Sequence, residues 1–376
     1  MSERPPQGKA NGGKSTGPRG GIIALIVIAG IVIGVTTVSP LALATVLADG
    51  PPAEAIVLTA TGLGLCILRL LRLDECPLRW QLLAGAGLGL GATSLLVLGL
   101  GVLGILHRGV WIGLLIAFAV GGLTQLPRML RQYRQTPECN DDAWMKWLWL
   151  GVIGFGALAL LAGTMPPGTL WPEEGNGYDV LEYHLGVPRE YLEAGRITYL
   201  PHNIYSNFPF NVEMLYLLAM VLKGDAVGAA FSANLLNVFL GMLAVASVWL
   251  AGREFGRGGG IIAGLIAASC PFITYLSGVA YVENGMLMFA ALGVAALLRA
   301  GRLPDGRMAP WILLAGLFSG LACGCKYTAI PAVLVPFALA VLWGALARRP
   351  RRSALPCVFI LAAVAAFGPW LVKNAV

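Results

Sequence analysis

Only 12% of the 376 residues are Asp, Glu, Lys or Arg, roughly half the ~25% of ordinary soluble domains. Where such residues gather is therefore informative. One such stretch is GYDVLEYHLGVPREYLEAGRITYLPHNIYSNFPFNVEMLYLLAMVLKG, which begins at Gly177 and holds Asp179, Glu182, His184, His202 and Glu213. Glu283, Lys326 and Lys373 follow, each at the edge of an apolar run. Asp179-Val-Leu-Glu182 admits two chemistries. As a D-x-x-E helix start, Asp179 caps the first turn and Glu182 reaches back to it. As a carboxylate at a membrane–water boundary, Asp179 acts as a general base, provided that it is ionised and water is scarce. The two are compatible, because a capped Asp is also an oriented one. His184 and His202, with Glu182 and Glu283, offer donors for a divalent cation, although no spacing matches a strong metal signature. Glu283 is an ionisable group at a membrane edge, which is functional by default; a solvated loop carboxylate is the plainer alternative. Lys326 follows Gly320-Leu-Ala-Cys-Gly-Cys, small residues that let a helix or a ligand approach closely. A Lys there suits a phosphate at headgroup level, as a point charge, with simple snorkelling as the alternative. Lys373 stands in a similar position.

These groups must be held by membrane helices. Hydrophobic residues make up 57% of the chain, which excludes an ordinary soluble enzyme, a disordered chain and a nucleic-acid-binding domain. The net charge of +7 comes from basic residues between apolar runs, where they orient a membrane protein. The expected fold is all-α: a polytopic transmembrane bundle with a large outer loop that contains amphipathic surface helices. Residues 1–20 read as a disordered cytoplasmic tail. Apolar runs at 21–47, 53–71, 81–106, 109–126, 146–164, 226–251, 259–279, 281–299, 310–324, 329–347 and 354–372 suggest about 11 spans. The run Val212–Leu222 is too short to cross and is read as a helix lying on the membrane surface. With that reading, the positive-inside rule puts most Lys and Arg residues on the inner side of a cytoplasmic (inner) membrane. The N-terminus is then inside, and 165–225 and the candidate residues face outward. Residues 21–127 form an accessory four-span module, 128–145 a cytoplasmic connector and 146–376 the core. The seven cysteines are odd in number and sit mostly in apolar runs; they read as small buried hydrophobes without a disulfide framework.

The series Tyr178-Asp179, Tyr183-His184, Pro188, Tyr191-Leu192, Gly195, Pro201, Asn207-Phe-Pro209 and Glu213-Met-Leu resembles the first outer loop of GT-C integral-membrane glycosyltransferases. The likeness is to the group of dolichyl-phosphate-mannose–protein mannosyltransferases (glycosyltransferase family 39) and bacterial relatives that decorate envelope acceptors. Leu250-Ala-Gly-Arg253-Glu-Phe-Gly256, Tyr281-Val-Glu283, Gly320 to Thr328 and Pro369-Trp370 with Lys373-Asn374 are similar to segments that follow there in the same order. The resemblance covers about 146–376. It implies a polyprenyl-phosphate-linked sugar donor and a lipid, glycan or protein acceptor. It puts Asp179 at the catalytic-base position, Glu283 at a second acidic position and Lys326 near the donor phosphate. The adjacent acidic pair often seen in the first loop is spread here to Asp179 and Glu182. Relatives usually continue beyond the equivalent of Val376, so the chain is expected to be truncated.

The expected catalytic residues are thus Asp179, Glu182 and Glu283. His184, His202, Asn203, Lys326, Tyr327 and Lys373 are expected to bind substrate. No metal ligand is assigned, and a divalent cation is left open as a cofactor. The expected function is transfer of a sugar from a polyprenyl phosphate to an acceptor outside the membrane. A polytopic transporter or flippase of a lipid-linked substrate is the alternative; it would show polar residues at mid-span and internal pseudo-symmetry.

Overall fold

The computed structural model describes residues 39–135, 143–167, 169, 177–256, 258–348 and 354–375. The tail 1–20, most of the run 21–47 and Cys139 lie outside these residues. Among the described residues there is no strand. The helices are α1 (Pro40–Leu70), α2 (Leu78–Val102), α3 (Arg108–Gln135), α4 (Leu148–Gly163), α5 (Gly186–Ala194), α6 (Glu213–Lys223), α7 (Ala230–Arg253), α8 (Gly259–Ala268), α9 (Pro271–Leu276), α10 (Glu283–Gly301), α11 (Ala309–Cys323), α12 (Val335–Arg348) and α13 (Leu355–Ala375). Among the described residues seven helical stretches are long and apolar enough to cross a membrane: α1, α2, α3, α7, α10, Ile330–Ala347 and α13. Helices satisfy their backbone polar groups internally, the requirement for any element in hydrocarbon. Three shorter apolar helices, α4, α8 and α11, complete the bundle.

Three expectations need correction. The runs 21–47 and 53–71 are not separated by a turn, because α1 is continuous through Pro51 and Pro52. The prolines cost it the bonds to the carbonyls of Leu47 and Ala48 without ending it. Its 31 residues extend about 46 Å, well beyond a ~30 Å hydrocarbon layer. The run 259–279 is divided between α8 and α9. Cys270 is extended (φ −67°, ψ 113°) before Pro271, because a following proline disfavours the α conformation. Lastly, α6 does not lie on the surface: every residue from Glu213 to Val221 is buried in the bundle. The amphipathic surface helix is α5, which buries Val187, Pro188 and Tyr191 and exposes Arg189 and Glu193.

Close packing sets where the helix ends lie. Gly316, Gly320 and Gly324 recur every fourth residue and face α13. A Cβ on Gly320 would lie 2.9 Å from Ala366 Cβ, and one on Gly324 3.0 Å from Trp370 Nε1. The small residues noted before Lys326 therefore admit a helix, and that helix carries Lys373. Residues 177–213 cover the ends of several helices on one side. Ile197 N–H donates to Gly101 O (2.9 Å), and Asn211 N–H donates to Gly324 O (2.9 Å). Ser94 of α2 donates to both oxygens of Asn211, so α2 shares a core with the later helices. Arginines hold other helix ends together: Arg69 donates to Gln125 (3.3 Å), and Arg299 and Arg302 lie 3.9 and 3.7 Å from Glu254.

Candidate active site

The site is built from the segment after Gly177, the starts of α6 and α10, and the ends of α11 and α13. A π-helical turn, Val180–His184, precedes α5; such turns shift side chains off the regular helical register and recur at functional sites. Asp179 makes no side-chain cap bond. Its Oδ2 accepts from Tyr183 OH at 2.8 Å, so the capping reading gives way to a side-chain pair. Tyr183 stacks on Tyr205 at 5.0 Å and meets Phe208 edge-on at 5.8 Å. Burial, and then the bond to Asp179, push its phenol well above the ordinary tyrosine value, so Tyr183 remains a donor.

His184 Nδ1 lies 2.7 Å from Glu213 Oε1, with the side chains 2% and 1% exposed. Glu213 stays where it is because Asn211, two residues earlier, is bolted to α2 and α11 by Ser94, Leu321 O and Gly324 O. Burial pushes the Glu213 carboxyl well up and the His184 imidazole well down.

Glu283 is positioned by the turn before α10. Ala280 has φ +26°, a backbone conformation that a non-glycine residue rarely adopts. Asn234 Oδ1 accepts its N–H at 2.8 Å, while Tyr216 OH donates to Tyr281 O at 2.6 Å. Glu283 Oε1 then meets Lys326 Nζ at 2.6 Å. Glu283, one of the donors offered for a divalent cation, engages the lysine.

A cavity of about 170 Å³ is lined by Tyr183, His184, Phe208, Glu213, Lys326 and Tyr327, among others. A larger apolar groove of about 1010 Å³ lies between α2, the 197–199 and 206–207 segments and the end of α13. Lys373 lines this groove, donates to Ser206 O and sits 5.2 Å from the Phe210 ring. Residues of the two linings are hydrogen-bonded to one another. Asn374, on the groove, donates to Tyr327 OH (2.8 Å), on the cavity, and Tyr327 OH donates to Asn207 O (3.4 Å).

The structure thus brings together His184, Lys326 and Tyr327 at the cavity, with Asp179 one hydrogen bond behind through Tyr183 and Glu283 behind Lys326. It does not bring the rest of the expected set to the cavity wall. His202 is 62% exposed and meets Glu190 at 2.9 Å. Asn203 is a latch, donating to Glu182 O (2.9 Å) and accepting from Tyr205 N–H. Among the described residues no three His, Cys, Asp or Glu side chains converge to hold a metal. The residue without an expected role is Glu213. A signal for it existed: an acid opening the uniformly apolar stretch MLYLLAMVL has no polar face to turn to, and a buried carboxyl needs a partner.

A bundle of apolar helices with a cavity at one end lined in part by Lys326, Glu213 and His184, and an apolar groove alongside, defines an integral membrane protein. Residues 211–372 match the model of the dolichyl-phosphate-mannose-protein mannosyltransferase family. That match supports a membrane glycosyltransferase of the GT-C type; it takes in Glu213, Glu283 and Lys326 and begins after Asp179 and His184. No curated protein and no solved structure matches the chain significantly.

Proposed function

We propose that this chain transfers a sugar from a polyprenyl-phosphate donor to an acceptor on the outer side of the membrane. The observation that carries this reading is the nearness of the two spaces, whose linings are linked by the Asn374–Tyr327 hydrogen bond. A cavity with Lys326 on its wall stands beside an apolar groove that contains Lys373 and no acidic residue among those that line it. A lipid phosphate has this shape: an anion and a sugar at one end, a long hydrocarbon at the other. Lys326 takes the donor phosphate as a point charge, and Glu283 holds the ammonium in place until the phosphate arrives. Asp179 is the base. The acceptor hydroxyl passes its proton to the Tyr183 oxygen as Tyr183 gives its own to the Asp179 carboxylate, and the acceptor oxygen bonds to the anomeric carbon. The bond from that carbon to the phosphate oxygen breaks, and the polyprenyl phosphate leaves with its charge on Lys326. The positive-inside pattern supports an outward-facing site; the N-terminus is placed inside on the same ground. Incubating the purified protein in detergent with polyprenyl-phosphate sugars tests the donor class. Mass spectrometry of lipid-linked sugars and envelope glycans in cells lacking the protein names the sugar. Accumulation of a donor is expected; unchanged donors and glycans would refute the reading.

A further inference from the structure

Resting on that reading, we propose that His184 and Glu213 form an uncharged pair. In it the Glu213 carboxyl keeps its proton and donates to His184 Nδ1, so that His184 Nε2–H is a neutral donor to an oxygen of the transferred sugar. Both side chains are almost fully buried, 2.7 Å apart, and both line the cavity. The ring is packed by Tyr183 (4.2 Å) and Tyr281 (4.9 Å). Among the described residues, His184 Nε2 and Glu213 Oε2 have no hydrogen-bond partner. A buried polar atom without a partner is costly, and these two atoms belong to residues that line the cavity, so a ligand oxygen that reaches Nε2 would relieve that cost.

Counting protons selects the state. If Glu213 were ionised and His184 neutral, the pair would carry a net negative charge in an apolar setting and Nε2 would be a bare acceptor. If both were charged, two desolvation penalties would have to be offset by one contact. The uncharged arrangement avoids both costs, and burial acts on each group in that direction. The surroundings agree. Tyr183 from the same turn, Tyr216 from α6, Tyr281, and Cys325 beyond α11 bring no charge. Glu283 repels a second anion, and the nearby cation Lys326 is already engaged by Glu283. Lys373 of α13 is held by Ser206 O. A neutral N–H suits a neutral oxygen, whereas the phosphate is served by Lys326. Tyr183, Phe208 and Tyr327 add aromatic rings to the same wall, surfaces that combine an apolar body with a polar tip.

The tautomer can be read directly. The chain has three histidines, so His107→Gln and His202→Gln leave His184 alone in a ¹⁵N-histidine NMR spectrum of the full chain in detergent. The expected spectrum is the Nε2–H tautomer. It should persist in Glu213→Gln, whose amide N–H donates to Nδ1 as the protonated carboxyl does. An Nδ1–H tautomer or a doubly protonated ring would overturn the proposal. The sugar contact is tested by binding of polyprenyl-phosphate mannose and glucose against bare polyprenyl phosphate. His184→Phe, which keeps a ring and removes the donor, with unchanged melting in detergent, should lose about tenfold in affinity for a sugar-bearing lipid, the size of one hydrogen bond, and nothing for the bare lipid. Equal loss for both would make the pair structural and refute the contact. If the wild-type chain bound none of these lipids, the donor class itself would fall, and the tautomer measurement would still decide the pair.

Discussion

Gly320→Ala adds one methyl group at the seam between α11 and α13, and its consequence can be worked from the coordinates. The new carbon would stand 2.9 Å from Ala366 Cβ and 3.0 Å from the Ala363 carbonyl carbon. Carbon atoms prefer about 3.5–4.0 Å, so the helices must part by roughly 0.5–1 Å. The near neighbours are a backbone carbonyl and an alanine, neither of which can turn aside. Overpacking of this kind costs about 1–3 kcal/mol. The same displacement acts at the site, because α13 carries Asn374 and α11 leads into Tyr327, joined at 2.8 Å. Stretching that bond by up to about 1 Å passes the limit of a hydrogen bond, and a misplacement of that size costs up to about 100-fold in rate. Melting in detergent and sugar transfer should both fall. Gly344→Ala in α12 is the control, since a Cβ there meets nothing within 4 Å; it should be harmless. Wild-type melting and wild-type transfer in Gly320→Ala would show that α11 and α13 are not seated against each other as described.

Asp179→Asn should lower transfer by about 10²–10⁴-fold, the usual share of a general base, with insertion unchanged; near-wild-type turnover would remove Asp179 from the chemistry. Lys326→Ala should weaken binding of polyprenyl phosphate and Lys326→Arg should restore part of it, since charge is kept while geometry changes. Because Glu283 and Lys326 meet at 2.6 Å, their variants should couple: the donor-affinity loss in Glu283→Gln/Lys326→Ala should be smaller than the sum of the single losses. Strict additivity would deny the pair any part in donor binding. For sidedness, a cysteine at exposed Arg196 should react with an impermeant thiol reagent on intact cells and one at exposed Gly306 should not; labelling of both would break the outward placement of the site.

Much of the bundle is legible in the sequence because hydrocarbon permits few solutions, and long apolar runs must be helical there. Asp49-Gly-Pro-Pro was expected to end a span, yet α1 runs through it and Asp49 pairs with Lys223 of α6. A turn signal is a local preference that packing can override. The surface assignment of α6 missed a pattern that was present: a helix apolar on every side belongs inside. At the site, the spacing of Asp179 and Glu182 suggested a cap, and Tyr183 took the carboxylate instead. That Lys326 would meet Glu283, or that Glu213 would meet His184, depends on how helices far apart in the chain fold together, which no periodicity reports. The seating of Lys373 on Ser206, an edge lysine reaching across to a loop carbonyl, was hidden for the same reason.

Helices α6 and α10 both begin at the cavity, with Glu213 and Glu283 in their first turns. The peptide dipoles of each helix add along its axis, leaving about half a positive elementary charge at that end. Side chains around the cavity leave little net charge: Glu283 offsets Lys326, and burial favours the neutral forms of Glu213 and His184. The fixed field that remains comes from the backbone, and it favours an anion. A side-chain substitution cannot titrate or remove it, so with Lys326 and its partner Glu283 both neutralised a residual attraction for phosphate should persist across pH. The side chains then select and orient what the orientation of two helices has already drawn in.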